Sequence, residues 1–157
     1  MNNLYLNIYN NLIKLTRNKS LYINLKRQDI FSDRLIILFI HFAFFLKTYK
    51  STISKKKNQE FFDFFIKQIE LSIREIGYGD VSVNKKMKEF VNLFYSIINK
   101  VENWEYLDIS SKKIIVSDYL NIDENLDFYT NYFDKFRFFL IKNTLNTFTK
   151  DIIEFKI

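Results

Sequence analysis

The chain has no cysteine, no proline and only two glycines. Without cysteine there is no disulfide, no thiol nucleophile and no Cys-based metal site, which fits a reducing compartment. Without proline, and with glycine nearly absent, few positions interrupt a helix, so long helices joined by short polar connections are expected. His41 is the single histidine. A zinc or proton-relay site built on it needs carboxylate partners, and none lies between Arg34 and Lys47; a core imidazole bonded to a neighbouring helix is the expectation. No nucleophile elbow, HExxH or Cys–His pair is present, so a non-catalytic protein is expected. Long apolar runs are missing too. "RLIILFIHFAFFLK" is the most hydrophobic segment, but only twelve residues separate Arg34 from Lys47. A membrane-spanning helix needs about 20 apolar residues. The run therefore reads as the central helix of a bundle, apolar nearly all round because neighbours surround it. The opening "MNNLYLNIYNNLIKL" lacks both the basic and cleavage features of a secretory signal and the arginines of a transit peptide. A mature cytosolic protein is expected.

What is abundant is apolar and aromatic: 48% of residues are hydrophobic and 18% aromatic, enough for one substantial core in 157 residues. The whole chain is expected to form one helical domain. Apolar residues recur at helical spacing over 3–17, with Leu4, Ile8, Leu12 and Leu15 in register. Asp29 or Ser32 is available to cap the central helix. A basic loop over about 48–58, carrying Lys55, Lys56 and Lys57, is expected next. A helix from 59 to 76 follows, with Phe62, Phe65, Ile69, Ile73 and Ile76 on one stripe, and another from 84 to 101 with Met87, Phe90, Val91, Phe94, Ile98 and Val101. Helices near 107–120 and 124–142 complete the pattern, with a short tail helix after "NTLNTFTK". The fold class is all-α, a single-domain bundle of about six or seven helices.

Charge is uneven. Residues 1–100 hold 17 Lys/Arg against 8 Asp/Glu, whereas residues 101–157 hold 7 against 10. The basic front half suits an anionic neighbour such as RNA or a phospholipid surface, although solvated basic helix faces are as common. Lys55–Lys57 is a candidate contact for either, and charge alone does not separate the two.

Both glycines fall in "GYGD", Gly77 to Asp80. A channel filter of that sequence needs a spanning helix on each side, and none is long enough. A phosphate loop needs a preceding strand and further glycines. A tight helix–helix corner accounts for the residues better. Gly77 ends one helix in the left-handed region, Gly79 permits a second unusual dihedral pair, and Asp80 or Ser82 caps the next helix. Tyr78 is left projecting.

Around this corner "IREIGYGDVSVNKKMKEFVNLFY", Ile73 to Tyr95, is similar to a signature running LRE-x-G-x-GD-x-x-V-x-K-K-x-K and then FY. Upstream, "DRLIILFIH" supplies an Arg-hydrophobic…His element, with Arg34 and His41 in the matching places. Both blocks, and their spacing, resemble the ubiquinol–cytochrome c chaperone family over residues of about 20–130. Asp33 stands where that family usually has glycine, and Ser96 and Ile97 follow Tyr95 where many members have Gly-Arg. The resemblance implies a helical assembly factor for the respiratory cytochrome bc1 complex that binds newly made cytochrome b. It also implies a small companion assembly factor and association with the ribosome. The short chain without a transit peptide looks like a bacterial member, cytoplasmic or peripheral at the inner membrane.

The structural signature residues are then Arg34, His41, Gly77 and Gly79, with Arg34 expected to pair with a carboxylate such as Glu75. The partner-facing candidates are Arg74, Glu75, Tyr78, Asp80, Lys85 and Lys86, since aromatic and Arg/Lys side chains on a rigid corner suit an interface anchor. No cofactor and no metal is expected. The surplus of phenylalanine suggests an aromatic groove for a client helix. The rival reading is a basic helical RNA- or ribosome-binding module without a chaperone role.

Overall fold

The structure, a computed structural model, describes residues 2–25, 30–149 and 155. Six α-helices follow in order: α1 (Asn2–Thr16), α2 (Phe31–Tyr49), α3 (Lys55–Glu75), α4 (Asp80–Val101), α5 (Ile109–Leu120) and α6 (Leu126–Lys142). Three short 3-10 turns lie at Lys19–Leu21, Trp104–Tyr106 and Leu145–Thr149. No strand occurs among the described residues. The fold is all-α.

α2 is the hub. Twelve of its 19 residues are buried, and beyond its first turn, where Phe31 and Arg34 are exposed, it has no wet face. On one side Phe42 stacks on Phe65 of α3 with ring centroids 3.7 Å apart and lies parallel to Phe94 of α4 at 5.2 Å. On the other, Phe44 stacks on Phe133 of α6 at 5.8 Å and meets Trp104 edge-on at 5.4 Å. Each such ring removed from water contributes roughly 2 kcal/mol before packing terms. The phenylalanines are used here. Phe39, Phe42, Phe44, Phe45, Phe61, Phe65, Phe94, Phe133 and Phe136 are all among the largest fully buried side chains. The expected aromatic groove is therefore filled by the protein's own core.

Helix direction follows from the same contacts. Phe39 and Phe45 of α2 meet Phe65 and Phe61 of α3, so these two helices are antiparallel. α4 and α6 run parallel to α2. Phe39 meets Phe94 near the middle of α4, and Lys50 pairs with Glu102 just past its end. Along α6, His41 bonds Tyr132 and Tyr49 bonds the Leu140 carbonyl. α1 lies along α3, with Tyr5 against Phe61 and Tyr9 against Phe65. The Leu145–Thr149 turn closes over α1, whose Asn11 and Asn7 amides donate to the Phe148 and Thr149 carbonyls at 2.7 and 3.2 Å.

Several local expectations change. Ser32 lies inside α2; Ile30 holds the N-cap position without a side-chain bond, and Asp29 lies outside the described residues. Lys55, Lys56 and Lys57 are not in a loop but form the first turn of α3, because the Ser54 hydroxyl accepts the Lys57 N–H at 3.3 Å and starts the helix there. The connection is only Lys50–Ser54. α4 begins at Asp80, and its buried face is Val83, Phe94, Ile97 and Val101, with Met87 and Phe90 half-buried beside it. That face is rotated from the expected stripe toward Ile97, because α4 packs against α2 and α3 together. Between α5 and α6 the turn uses Asn121 (φ 53°) and Asn125 (φ 59°) in the left-handed region. Asparagine tolerates that conformation better than most residues, and here it does the work of glycine. The 3-10 turn Leu145–Thr149 lies within the expected interruption, and the short tail helix expected after it falls, apart from Phe155, outside the described residues.

Candidate functional site

The corner between α3 and α4 is built by two glycines in different roles. Ile76 caps α3, and the Gly77 N–H donates to the Arg74 carbonyl at 3.0 Å, half of a Schellman closure. Gly77 has φ +107°, a conformation that side chains rarely adopt. Gly79 differs. At φ −72° and ψ 164° it is ordinary extended backbone at the N-cap of α4, its carbonyl accepting the Val83 N–H at 2.9 Å. A Cβ there would meet nothing within 4 Å. The expected second unusual dihedral pair is absent, so the fold demands glycine at 77 alone.

Nor do Asp80 or Ser82 cap α4; Gly79 offers no side chain, and no cap bond forms. Asp80 instead takes the Arg74 guanidinium across the turn, while Arg74 Nε also holds Glu70 Oε1 at 3.1 Å. Asp80 first, and then Glu70, raise the Arg74 pKa by favouring its charged form. Asp80 in the first turn also suits the positive end of the α4 dipole. The ion pair thus clips the end of α3 to the start of α4. Lys86, in the second turn of α4, sits over the Tyr78 ring at 4.6 Å.

Between these charges lies apolar surface. Val81 is 85% exposed, Ile76 53% and Tyr78 42%. Ile76 was expected to continue the core stripe of α3, but the helix ends at Glu75 and the following turn swings its side chain outward. Val81 was not singled out from sequence. The signal was available: Val83 is in phase with Met87, Phe90 and Phe94, and Val81 is two residues out of phase. Glu75 and Lys85 are exposed at the same corner. Glu75 acts electrostatically on Tyr9 of α1, whose hydroxyl is raised mainly by burial.

The remaining candidates lie elsewhere. Arg34, in the first turn of α2, is exposed, and so is Glu75, so the two do not form a buried pair joining helices. Lys55–Lys57 are exposed at the opposite end of α3, about 30 Å along its axis from the corner. His41 is fully buried. Its Nδ1 lies 2.7 Å from the Ile37 carbonyl and its Nε2 2.6 Å from the Tyr132 hydroxyl. A carbonyl only accepts, so Nδ1 carries the proton and Nε2 accepts from Tyr132. Burial lowers the His41 pKa to about 4, although the Ile37 bond opposes the shift. Both ring nitrogens are engaged and the ring is neutral. Among the described residues no group of His, Cys, Asp or Glu could hold a metal ion, and no helix is long and apolar enough to cross a membrane.

Helices wrapped around an apolar α2, with a charged and partly apolar corner held out at one end, define a small all-α protein whose distinctive exposed chemistry is a surface. The chain belongs to the ubiquinol-cytochrome C chaperone family, whose model matches residues 24–103. The match runs from the segment before α2 to just past α4 and so contains His41 and the corner, but not Tyr132, the partner of His41 on α6. It is shorter than the 20–130 over which the motif resemblance was drawn. No curated protein and no solved structure matches the chain.

Proposed function

We propose that this protein is a non-catalytic assembly chaperone of the respiratory cytochrome bc1 complex, holding newly made cytochrome b at the α3–α4 corner. The observation that carries this reading is the exposure of Ile76, Tyr78 and Val81 inside the family-matched span, ringed by Arg74, Lys85 and Lys86. Apolar side chains flanked by fixed cations suit a client whose hydrophobic helices end in polar or acidic loops. The Arg74–Asp80 ion pair joins the two helix ends that carry these side chains. Such a protein acts in the cytoplasm, peripheral to the inner membrane where cytochrome b is inserted, and a small companion assembly factor fits the same role.

The test is co-purification of cytochrome b with the tagged full chain, comparing parent with Val81→Asp and Tyr78→Ala. Both variants should keep the parental melting temperature and lose the client. Cytochrome b retained equally by all three would remove the corner from the proposal. The exposed Lys55–Lys57 turn favours a second reading, contact with RNA, the ribosome or an anionic membrane. Its signature is ribosome pelleting, or vesicle binding, that falls steeply with salt and is lost on replacing these three lysines.

A further inference from the structure

At the corner end of the bundle, the last turn of α1, the first turns of α2 and the last turns of α3 splay apart around a cavity of about 700 Å³. That volume is in the range of small-molecule sites. Its walls are apolar: Tyr9, Ile13, Leu35, Leu38 and Ile69. The polar side chains that reach it are already bonded within the protein. The Tyr22 hydroxyl donates to the Thr16 carbonyl at 2.6 Å, the Thr16 hydroxyl to Ile13 at 2.8 Å, and the Ser72 hydroxyl to Gln68 at 3.0 Å. The Tyr9 hydroxyl is hydrogen-bonded to Ser72. A sugar or nucleobase would therefore find few directed partners inside, and its own polar groups would be buried unpaired.

The rim is different. Arg17 and Lys19, two residues apart just beyond α1, and Arg34 of α2 come to it, all three are exposed, and no described residue lining the cavity is acidic. An apolar interior with a cationic mouth is complementary to a molecule with a hydrocarbon tail and an anionic head. We infer that this cavity takes the acyl chain of an anionic amphiphile, its carboxylate or phosphate head held by Arg17 and Lys19. The site is independent of the client reading. Tyr9, Ile13, Arg17 and Lys19 all precede the family-matched span, so the cavity depends on a part of the chain that the family signature does not include.

The test uses the full chain stripped of lipid, a fluorescent polyene fatty acid as probe, and displacement by saturated fatty acids below their micelle concentrations. Affinity should rise about fourfold for each methylene added from octanoate to laurate. Dodecanol, with the same tail but no charge, should bind at least about tenfold more weakly than laurate. Arg17→Gln with Lys19→Gln, both at exposed positions, should weaken laurate about tenfold and leave dodecanol unchanged. Vesicles of phosphatidylglycerol and of phosphatidylcholine then identify the source. Displacement by the former alone points to a phospholipid, and displacement by neither, with laurate still bound, points to a free fatty acid. Affinity independent of tail length, or equal for laurate and dodecanol, would overturn the inference.

Discussion

The knot of His41 with Tyr132 and the corner around Gly77 use polar chemistry in opposite ways, and only the corner lies wholly within the family-matched span. In the knot every polar atom is committed: the imidazole bonds Ile37 and Tyr132, packs against Phe133 and Phe136, and is wholly dry. At the corner the polar groups are charged and wet, and the apolar side chains of Ile76 and Val81 face solvent. Buried polar groups are costly to leave unpaired, so the knot specifies how α2 meets α6. Exposed ion pairs contribute little to stability, so the charges of the corner are better explained by what they meet. Unfolding experiments should see the first region and binding experiments the second.

The largest expected effect is in the core on the face of α2 opposite the knot. Phe42→Ala removes a ring stacked between α3 and α4 and should lower stability by about 3–5 kcal/mol, read from chemical denaturation. A pH series gives the next largest effect. His41 titrates near 6.5 when unfolded and about 4 when folded, so the unfolded chain binds more protons between those values. Stability should be complete above about 6.5 and fall as pH drops toward 4, by about 3 kcal/mol over the whole window. Carboxylates such as Glu70, lowered chiefly by its Arg74 bond, act below their ordinary 4.5, so the upper part of the window isolates the histidine. A His41→Leu chain, less stable overall, should show a flat profile there.

Smaller effects divide the two glycines. Gly77→Ala places a side chain at φ +107° and should cost about 1–2 kcal/mol. Gly79→Ser should be neutral, or stabilising by a few tenths of a kcal/mol, because serine can cap α4 where glycine does not. Equal losses at both positions would contradict the geometry of the corner. Smallest of all, Val81→Asp should shift stability by less than about 0.5 kcal/mol, since its side chain is almost wholly exposed. A larger loss would mean that the corner is structural after all.

Much of this was legible beforehand, and the reasons are local. Apolar spacing located α1, α3 and α4, the length of its apolar run located α2, and the glycine pair marked the corner between α3 and α4. Gly77 was readable because a glycine just after a helical apolar stripe marks a left-handed C-cap, whereas Asn121 in the same role was not, because asparagine is scattered through the helices as well. Gly79 was misread because an N-cap is extended backbone that any residue can take. Lys55–Lys57 looked like a loop because three adjacent charges suggest solvent, yet exposed lysines sit equally well on a helix turn that Ser54 starts.

By itself the order of residues settled which segments coil, since each backbone bond of a helix closes within four residues, and periodic side chains with few breakers suffice for that. It also settled the family, through motifs that are read residue by residue. Packing among distant segments settled the rest. His41 found Tyr132, 91 positions away, and α4 turned Ile97 inward. Ile76 and Val81 were left outside, and three cations gathered at one cavity mouth. Those outcomes depend on which helix faces which, a choice made by burying shared apolar area across long separations in the chain.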